Sequence, residues 1–238
     1  MTTDVASKPV SFWEDLVDIF VAPAQVFARR AGKGFALALL VVTVVMGGLF
    51  IGTKPLLRPV MDVVWSQQEA ALRRSRPELT ADQLAGARAT QEKLAPIVTF
   101  IVIPITILLV GLILWLVGKL FDGREGLGDA CMIATYAYFP KILAMVATAV
   151  MASLMDPARI ISQYSPTLGL GFFLGTGSSP VLGALLGRVD VFTIWVTVLI
   201  GVGLHVVGRV AKSQAAIAAV LVWIIGALPG ILQALRTG

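Results

Sequence analysis

Residues Gly126 to Asp129 read GLGD, the GxGD pattern in which an aspartate supplies one carboxylate for proteolysis inside a membrane. That chemistry needs two carboxylates that share a proton. The other candidates lie at the ends of apolar stretches rather than inside them: Asp122, Glu125, Asp156 and Asp190. The sequence therefore predicts a glycine-rich turn with Asp129 at the start of a helix, where its charge is favourable, and no enzyme.

Other signatures of catalysis are absent from the sequence. It has no GxxxxGK[ST] loop and no GxSxG elbow, and its single histidine, His205, excludes an HExxH zinc pair. The single cysteine, Cys131, excludes an internal disulfide and a cysteine metal cluster. His205 lies on an apolar helix near its basic end, which favours a hydrogen-bonded structural role over a proton relay. We predict no catalytic residue, no metal site and no cofactor.

One lysine interrupts an uncharged stretch, ATYAYFPKILAMV at residues 134–146. Lys141 lies twelve residues past Asp129, about 18 Å along a helix. An unpaired lysine at that depth costs about 3 kcal/mol, and no Asp or Glu lies inside a predicted span to neutralise it. The sequence therefore predicts no salt bridge for this lysine.

Two interpretations of Lys141 remain open. In the structural one, Pro140 kinks the helix and frees the Tyr136 carbonyl, which satisfies the ammonium together with the Tyr138 hydroxyl. In the functional one, the lysine faces a hydrated cleft and attracts an anionic lipid headgroup or a partner's carboxylate. Five residues are candidate contacts for a ligand or a protein partner: Lys141, Tyr136, Tyr138, Pro140 and His205.

The composition is that of a membrane protein: 57% of the 238 residues are hydrophobic and 14% are charged. We predict an all-α, polytopic five-span bundle with spans at about 35–53, 95–118, 130–153, 191–208 and 214–233. A glycine-rich loop occupies 155–190, where six glycines interrupt any span between 160 and 187. The net charge of +5 comes mostly from basic residues at span ends, so we predict contact with membrane lipids and not with nucleic acid.

Two extramembrane elements accompany the predicted spans. In the segment 1–34, Ser11 and Glu14 have capping-box spacing, and apolar residues from Phe12 to Phe27 recur at helical intervals. This predicts an amphipathic helix that lies in the membrane interface, or alternatively packs on the protein's own loops. Residues 54–94 predict a helical hairpin, with a second capping box at Thr80, that serves as a docking surface or as a simple connector. Candidate interface anchors are Trp13, Phe27, Trp65, Asp190 and Trp195.

Charge does not fix the orientation, because seven Lys and Arg residues flank the predicted spans on each side. Three basic residues before the first span and two after it favour a cytoplasmic N-terminus. Ala144, Thr148 and Ala152 repeat at four-residue intervals and allow a close helix contact, either within the bundle or in a homo-oligomer.

Three stretches resemble the bacterial branch of the Yip-domain (Ypt-interacting protein) family: FWEDLVDIFVAPAQVF at 12–27, GLGDACMIATYAYFP at 126–140 and VDVFTIWVTVLIGVGL at 189–204. The resemblance implies five spans, a cytoplasmic N-terminus and no catalytic motif. Eukaryotic members are associated with Rab-type GTPases and with traffic between ER and Golgi through a long N-terminal region. The corresponding segment here has 34 residues, which departs from that pattern.

From these observations we expect a non-enzymatic interaction or scaffolding protein of the bacterial inner membrane. It would act in membrane organisation, in trafficking or in a membrane transport complex, with protein partners as well as lipids. The alternative is a transporter of lipids or anionic amphiphiles, or an accessory subunit of an efflux complex, with Lys141 at its polar point.

Overall fold

The computed structural model describes residues 11–175 and 177–237, without the side chains of 236 and 237. In this part of the chain the regular structure is helical, apart from one isolated antiparallel bridge between Gly169 and Asp190. The all-α prediction is therefore confirmed for the described residues. Of the predicted N-terminal segment, residues 1–10 lie outside them.

The N-terminal segment forms two helices, α1 (Phe12–Val21) and α2 (Pro23–Arg30). The Ser11 hydroxyl and the Glu14 carboxylate form the predicted capping box. The prediction of one helix through to Phe27 is wrong, because Ala22 leaves the helical conformation with φ −139° and ψ 51°. A residue that precedes a proline is disfavoured in the helical region, and Pro23 then starts α2 at a position that needs no amide hydrogen.

These two helices pack on the bundle along one face. Ile19, Val26 and Phe27 are fully buried, and the Phe20 ring meets the Trp195 ring edge to face at 5.4 Å. The opposite face of α1 exposes large apolar side chains: Trp13, Val17 and Val21. This face therefore packs on the helical bundle and not on the loops that the alternative prediction named, while the other face presents apolar surface outward.

A cluster of charges fastens α1 to α2. Asp15 is 1% exposed. Its carboxylate forms ion pairs with Arg29, whose Nη2 lies 2.7 Å from Oδ1, and with Arg30. Arg29 reaches Asp18 as well, at 2.6 Å. The turn after α2 is tied to the bundle by the Gly32 amide, which donates to Asp129 at 2.7 Å.

The first long apolar helix is α3 (Ala36–Thr53), and α4 (Arg58–Ser75) follows it. Next, α5 (Ala81–Lys119) joins the second arm of the predicted hairpin and the second predicted span in one helix of 39 residues. The Thr80 capping box is present as predicted. Pro96 and Pro104 do not end α5. The Glu92 carbonyl that Pro96 frees accepts the Lys54 ammonium at 3.3 Å.

The third predicted span consists of two helices, α6 (Leu127–Ala137) and α7 (Pro140–Leu154). The predicted loop that follows contains two short 3-10 helices, Pro157–Arg159 and Leu170–Phe173, and the helix α8 (Pro180–Leu186). The last two helices are α9 (Val191–Val206) and α10 (Lys212–Thr237).

Four helical segments in the described part of the chain are long and apolar enough to cross a membrane: Ala36–Thr53, Ala81–Lys119, Leu127–Leu154 and Lys212–Leu235. The fourth predicted span, 191–208, corresponds to α9, an apolar helix of 16 residues. Between 17% and 28% of the residues in the four apolar windows are buried, so most of their apolar surface is left for lipid. Four candidate spans are found, and the five-span layout stays a prediction.

Close helix contacts depend on small residues. A Cβ at Gly111 of α5 would lie 2.7 Å from the Cα of Cys131 on α6, and one at Gly203 of α9 would overlap Ile133. Of the predicted stripe on α7, Ala152 is buried in a cluster with Val60 of α4. The other two members, Ala144 and Thr148, instead line a cleft between α3 and α7.

Candidate functional site

The break between α6 and α7 leaves no free backbone carbonyl at Tyr136. The Tyr138 amide donates to the carbonyls of Ala134 and Thr135, and the Phe139 amide donates to that of Tyr136 at 3.3 Å. Pro140 takes the first position of α7, where a missing amide hydrogen costs nothing. The kink is therefore satisfied by tighter turns of the backbone, as at many helix ends.

Lys141 is neutralised by a carboxylate, which corrects two sequence predictions. Its Nζ lies 3.7 Å from Oδ2 of Asp190 and donates to the Thr193 hydroxyl. That hydroxyl in turn donates to the same Asp190 oxygen. The predicted absence of a salt bridge is wrong because Asp190, the N-terminal cap of α9, comes level with Lys141. The Tyr136 carbonyl is not the partner of the ammonium.

Asp190 is held firmly by the start of α9. Its Oδ1 accepts the amides of Phe192 and Thr193, both at 2.9 Å, so the carboxylate caps the helix. The bridge to Gly169 fixes its backbone, and a Cβ at Gly169 would lie 2.7 Å from the Cα of Asp190. The folded loop therefore positions the capping residue, and its second oxygen remains available to Lys141.

The position of Asp190 also fixes the course of the loop. Since α9 begins beside Lys141 while α7 continues to Leu154, α7 extends thirteen residues, about 20 Å, beyond this level. The chain between Met155 and Asp190 must return over that distance. The buried residue Ile160 lies against α4 on the way.

A cleft of about 290 Å³ opens beside the lysine, between α3 and α7. Seven residues line it: Met46, Leu57, Tyr138, Lys141, Ala144, Met145 and Thr148. The Lys141 side chain is 26% exposed, whereas that of Asp190 is 13% exposed. The cation thus faces the cleft more than its counter-ion does, and the remaining walls are mostly apolar.

A second cation, Arg188, lies near the Lys141 ion pair. Its guanidinium packs on α10, where a Cβ at Gly226 would lie 3.2 Å from Nη2. Burial lowers the pKa of Arg188, and the neighbouring Tyr138 and Asp190 act in the opposite direction. Its Nε is buried without a hydrogen-bond partner among the described residues.

The charges of the site do not cancel. Lys141 and Arg188 provide two positive charges against the single carboxylate of Asp190. The Lys141 ammonium beside the apolar cleft matches an anionic head on an apolar body. Arg188 does not line the cleft, and its buried guanidinium adds positive charge behind the ammonium. The chemistry available here is electrostatic binding of such a group, because no nucleophile and base are brought together at the cleft.

Two of the other candidate contacts, Tyr136 and His205, lie away from the cleft. Tyr136 is 1% exposed, and its ring lies 6.0 Å from that of Phe139 in the core. The Nδ1 atom of His205 contacts the Val210 carbonyl at 2.8 Å near the opposite end of α9 from Asp190. Of the five candidates, Lys141 and Tyr138 therefore line the cleft, and Pro140 fixes the helix that carries the lysine.

The candidate anchors also lie in different surroundings. Phe27 is buried in the core rather than placed at a surface, and Asp190 forms the cap and ion pair described above. Trp195 is half-buried against Phe20. Trp13 is 68% exposed on α1, and Trp65 lines a groove between α4 and α5.

Asp129 of the GLGD string lies in the first turn of α6, with Gly126 as the N-terminal cap. Its carboxylate accepts the Gly32 amide, so it joins the N-terminal segment to α6. This arrangement is the helix-start role predicted for it. Among the described residues, no group of three or more His, Cys, Asp and Glu side chains could hold a metal ion.

The family of the chain is shown by a match to a known domain family. The profile of the Yip1 domain matches residues 5–232, which is nearly the whole chain. The chain belongs to the Yip1 domain family. The Yip1 family is non-enzymatic and is linked to membrane trafficking. Neither a curated protein nor a solved structure matches the chain.

Membership of the Yip1 family agrees with the architecture. The protein is a multi-pass membrane protein with four candidate spans in its described part. The missing second carboxylate at GLGD predicted that the protein is not an enzyme. The family confirms this prediction, because it is non-enzymatic. No residue of the Lys141 site acquires a role through the family.

Two contributors to the site were missed from the sequence, Thr193 and Arg188. The D-x-x-T spacing of Asp190 and Thr193 before an apolar run is a helix-start signal that predicts the cap. No local signal connects either residue to Lys141, because Thr193 lies 52 positions and Arg188 47 positions from it along the chain.

Proposed function

We propose that this Yip1-domain protein is a non-enzymatic scaffold of the bacterial inner membrane, with a cytoplasmic N-terminus and five spans that include α9. In this role it recruits protein partners of membrane organisation, trafficking or a transport assembly through the hairpin of α4 and the first part of α5. The observation that carries the proposal is a groove between these two helices. Membership of a non-enzymatic family linked to trafficking supports the same class of function.

The groove has a volume of about 200 Å³ and is lined by four apolar residues of α4, four residues of α5 and Gln163 of the later loop. Val60, Met61, Val64 and Trp65 form one wall, and Arg88 and Glu92 of α5 flank it. Arg88 pairs with Asp62 across the two helices and with Glu92 along its own helix at 2.9 Å, which orders the rim. An apolar centre with a charged rim is the usual plan of a protein interface, and tryptophan is prominent among its strongest contacts.

Trp65→Ala is expected to weaken the partner complex about 30-fold or more, since truncating an interface hot spot costs at least about 2 kcal/mol. The complex is isolated from its own membrane in mild detergent, and partners are quantified by mass spectrometry. Trp13→Ala is the matched control, because Trp13 is exposed on α1 and away from the groove. Equal partner recovery from both variants, or recovery of the bare wild-type protein, would contradict the docking role.

A second candidate function is binding or transport of anionic amphiphiles, and the excess positive charge beside the Lys141 cleft favours it. An acyl chain suits the apolar wall of Met46, Leu57 and Met145, and a phosphate or carboxylate suits the Lys141 ammonium. The distance of 3.7 Å between Lys141 Nζ and Asp190 Oδ2 is longer than a hydrogen bond, so a bound anion can compete with Asp190 for the ammonium.

Lys141→Met is expected to abolish the retention of anionic lipids while the fold is preserved. Asp190 would keep the Thr193 hydroxyl and two backbone amides as partners, so the substitution leaves no unsatisfied carboxylate. Native mass spectrometry of the protein with phosphatidylglycerol is the measurement. Lys93→Met, on the exposed part of α5, controls for general loss of positive charge. An unchanged lipid spectrum would leave Lys141 with a structural ion pair only.

A further inference from the structure

Glu125 is a buried carboxyl group outside the Lys141 site. It lies between the end of α5 and the start of α6 and is 1% exposed. Neither of its carboxyl oxygens has a hydrogen-bond partner within the described residues. A carboxylate left in this condition would lose its hydration without compensation, which is among the most costly arrangements in a protein.

Three glycines form the walls around this carboxyl group. A Cβ at Gly118, Gly123 or Gly208 would overlap one of the Glu125 oxygens. The carboxyl group therefore packs directly on the backbone of α5, of the turn after it and of the turn after α9. Packing this close leaves the oxygens in contact with protein atoms rather than with water.

Two helix ends direct partial negative charge at the same point. The turn after α5 passes through Asp122 at φ 57°, and the turn after α9 passes through Arg209 at φ 56°. A Cβ at Gly123 would lie 2.8 Å from the Gly118 carbonyl oxygen, and one at Gly208 would lie 2.7 Å from that of Leu204. Carbonyl groups at helix C-termini repel an anion but can accept a hydrogen bond from a protonated acid. The Gly118 carbonyl already accepts the amides of Phe121 and Gly123, whereas the Leu204 carbonyl accepts the Val210 amide at 3.4 Å, a long bond that leaves its second lone pair for such a donor.

No charged neighbour among the described residues donates a hydrogen bond to the Glu125 carboxyl group. Lys119 of α5 donates its ammonium to the carbonyls of Gly123 and Glu125, at 2.7 and 2.8 Å, rather than to the carboxyl group. Asp129 of α6 adds a like charge. From α9 the nearest titratable side chain in sequence is His205, which is engaged by the Val210 carbonyl. Arg124 and Arg209 flank the two turns in sequence.

We propose that Glu125 is a proton-binding site, in which the protonated carboxyl group donates to a helix-end carbonyl and holds the ends of α5 and α9 against the start of α6. Loss of the proton places an unpaired charge among three glycines and two helix ends, and the junction loosens. The backbone link that must give way is the Arg124 amide, which donates to the Gly208 carbonyl at 2.9 Å. This site is independent of the proposed scaffold function.

The direction of the pH effect follows from burial. Burial raises the pKa of Glu125 and Asp129 acts in the same direction, whereas the group's own backbone amide and Lys119 oppose the rise. The folded protein then binds a proton that the unfolded chain has already lost. Stability is full below the pKa of an unfolded glutamate and declines as the pH rises toward the pKa of the folded group.

The experiment combines infrared spectroscopy with thermal unfolding of the full chain in detergent across a pH series. At a pH above the ordinary pKa of a glutamate, the wild type should still show the C=O stretch of a protonated carboxylic acid. Its unfolding equilibrium should shift toward the unfolded state about tenfold per pH unit between the two pKa values. Glu125→Gln, which mimics the neutral acid, should lack both the band and this slope, and should match the wild type at low pH.

Glu78→Gln is the matched control, because Glu78 is an exposed glutamate in the turn between α4 and α5. It should retain the band and the slope of the wild type. A wild-type spectrum that loses the protonated band at the ordinary pKa of a glutamate would overturn the proposal even if Glu125→Gln failed to fold. Persistence of the band in Glu125→Gln would overturn it equally, since the proton would then belong to another group.

Discussion

Asp15→Ala is expected to lower the stability of the folded protein by about 3 kcal/mol, the lower end of the range for breaking a buried ion pair. Asp15 is 1% exposed and receives both Arg29 and Arg30, whose side chains are 26% and 21% exposed. Its removal leaves two largely buried arginines with one remaining carboxylate, Asp18. Because this pairing fastens α1 to α2, the N-terminal helices should separate from the bundle first.

The measurement is the unfolding temperature in detergent, followed by tryptophan fluorescence. A loss of about 3 kcal/mol corresponds to a fall of about 6–12 °C for a chain of this size. The fluorescence should also report the local change, because Phe20 of α1 packs against Trp195 of α9. Asp15→Ala should therefore alter the Trp195 environment below the main transition.

Asp18→Ala is the control, on the same helix and with one of the same arginines. Asp18 is 30% exposed and makes a single ion pair with Arg29, so its removal should cost less than about 1 kcal/mol. Equal effects from the two variants would show that burial of Asp15 does not distinguish it from a surface ion pair.

Local features of the fold were predictable because their causes lie within a few residues. Ser11 and Thr80 each precede a polar partner by three positions, and both capping boxes form. The apolar stretches are equally local, and four of them correspond to candidate spans. The break at Ala22 was not predicted, because the helical repeat of apolar residues continues across Pro23, the residue that causes the break.

The partners of the buried charges were not predictable, because they depend on which helix ends come level with one another. Asp190 lies at the end of a predicted span, yet the return of the loop brings it beside Lys141. Glu125 also lies at a span end, and its burial depends on Gly208, which is 83 positions away. In a membrane protein, the partners of charged residues at span ends can therefore be predicted only when the positions of the helices along the membrane normal are known.

Gly111→Ala is expected to destabilise the protein by about 1–3 kcal/mol through overpacking. The added Cβ would lie 2.7 Å from the Cα of Cys131 and 2.8 Å from its sulfur. A backbone atom cannot yield unless the whole helix moves, so α5 and α6 must separate. The change is read as a lower unfolding temperature in detergent.

Gly86→Ala on the same helix is the matched control, because no atom lies within 4 Å of the added methyl group. Alanine is favoured over glycine inside a helix by about 0.5–1 kcal/mol, so this variant should be slightly more stable than the wild type. Similar unfolding temperatures for the two variants would contradict the close approach of α5 to α6.

The separation of α5 from α6 should also reach Glu125. Gly111 and Gly118 are two helical turns apart and lie on the same side of α5, and Gly118 forms one wall around the Glu125 carboxyl group. Moving this wall admits water, which stabilises the carboxylate and shortens the pH interval over which stability declines. Gly111→Ala should therefore weaken the pH dependence as well as the fold, and combining it with Glu125→Gln should have a non-additive effect at high pH.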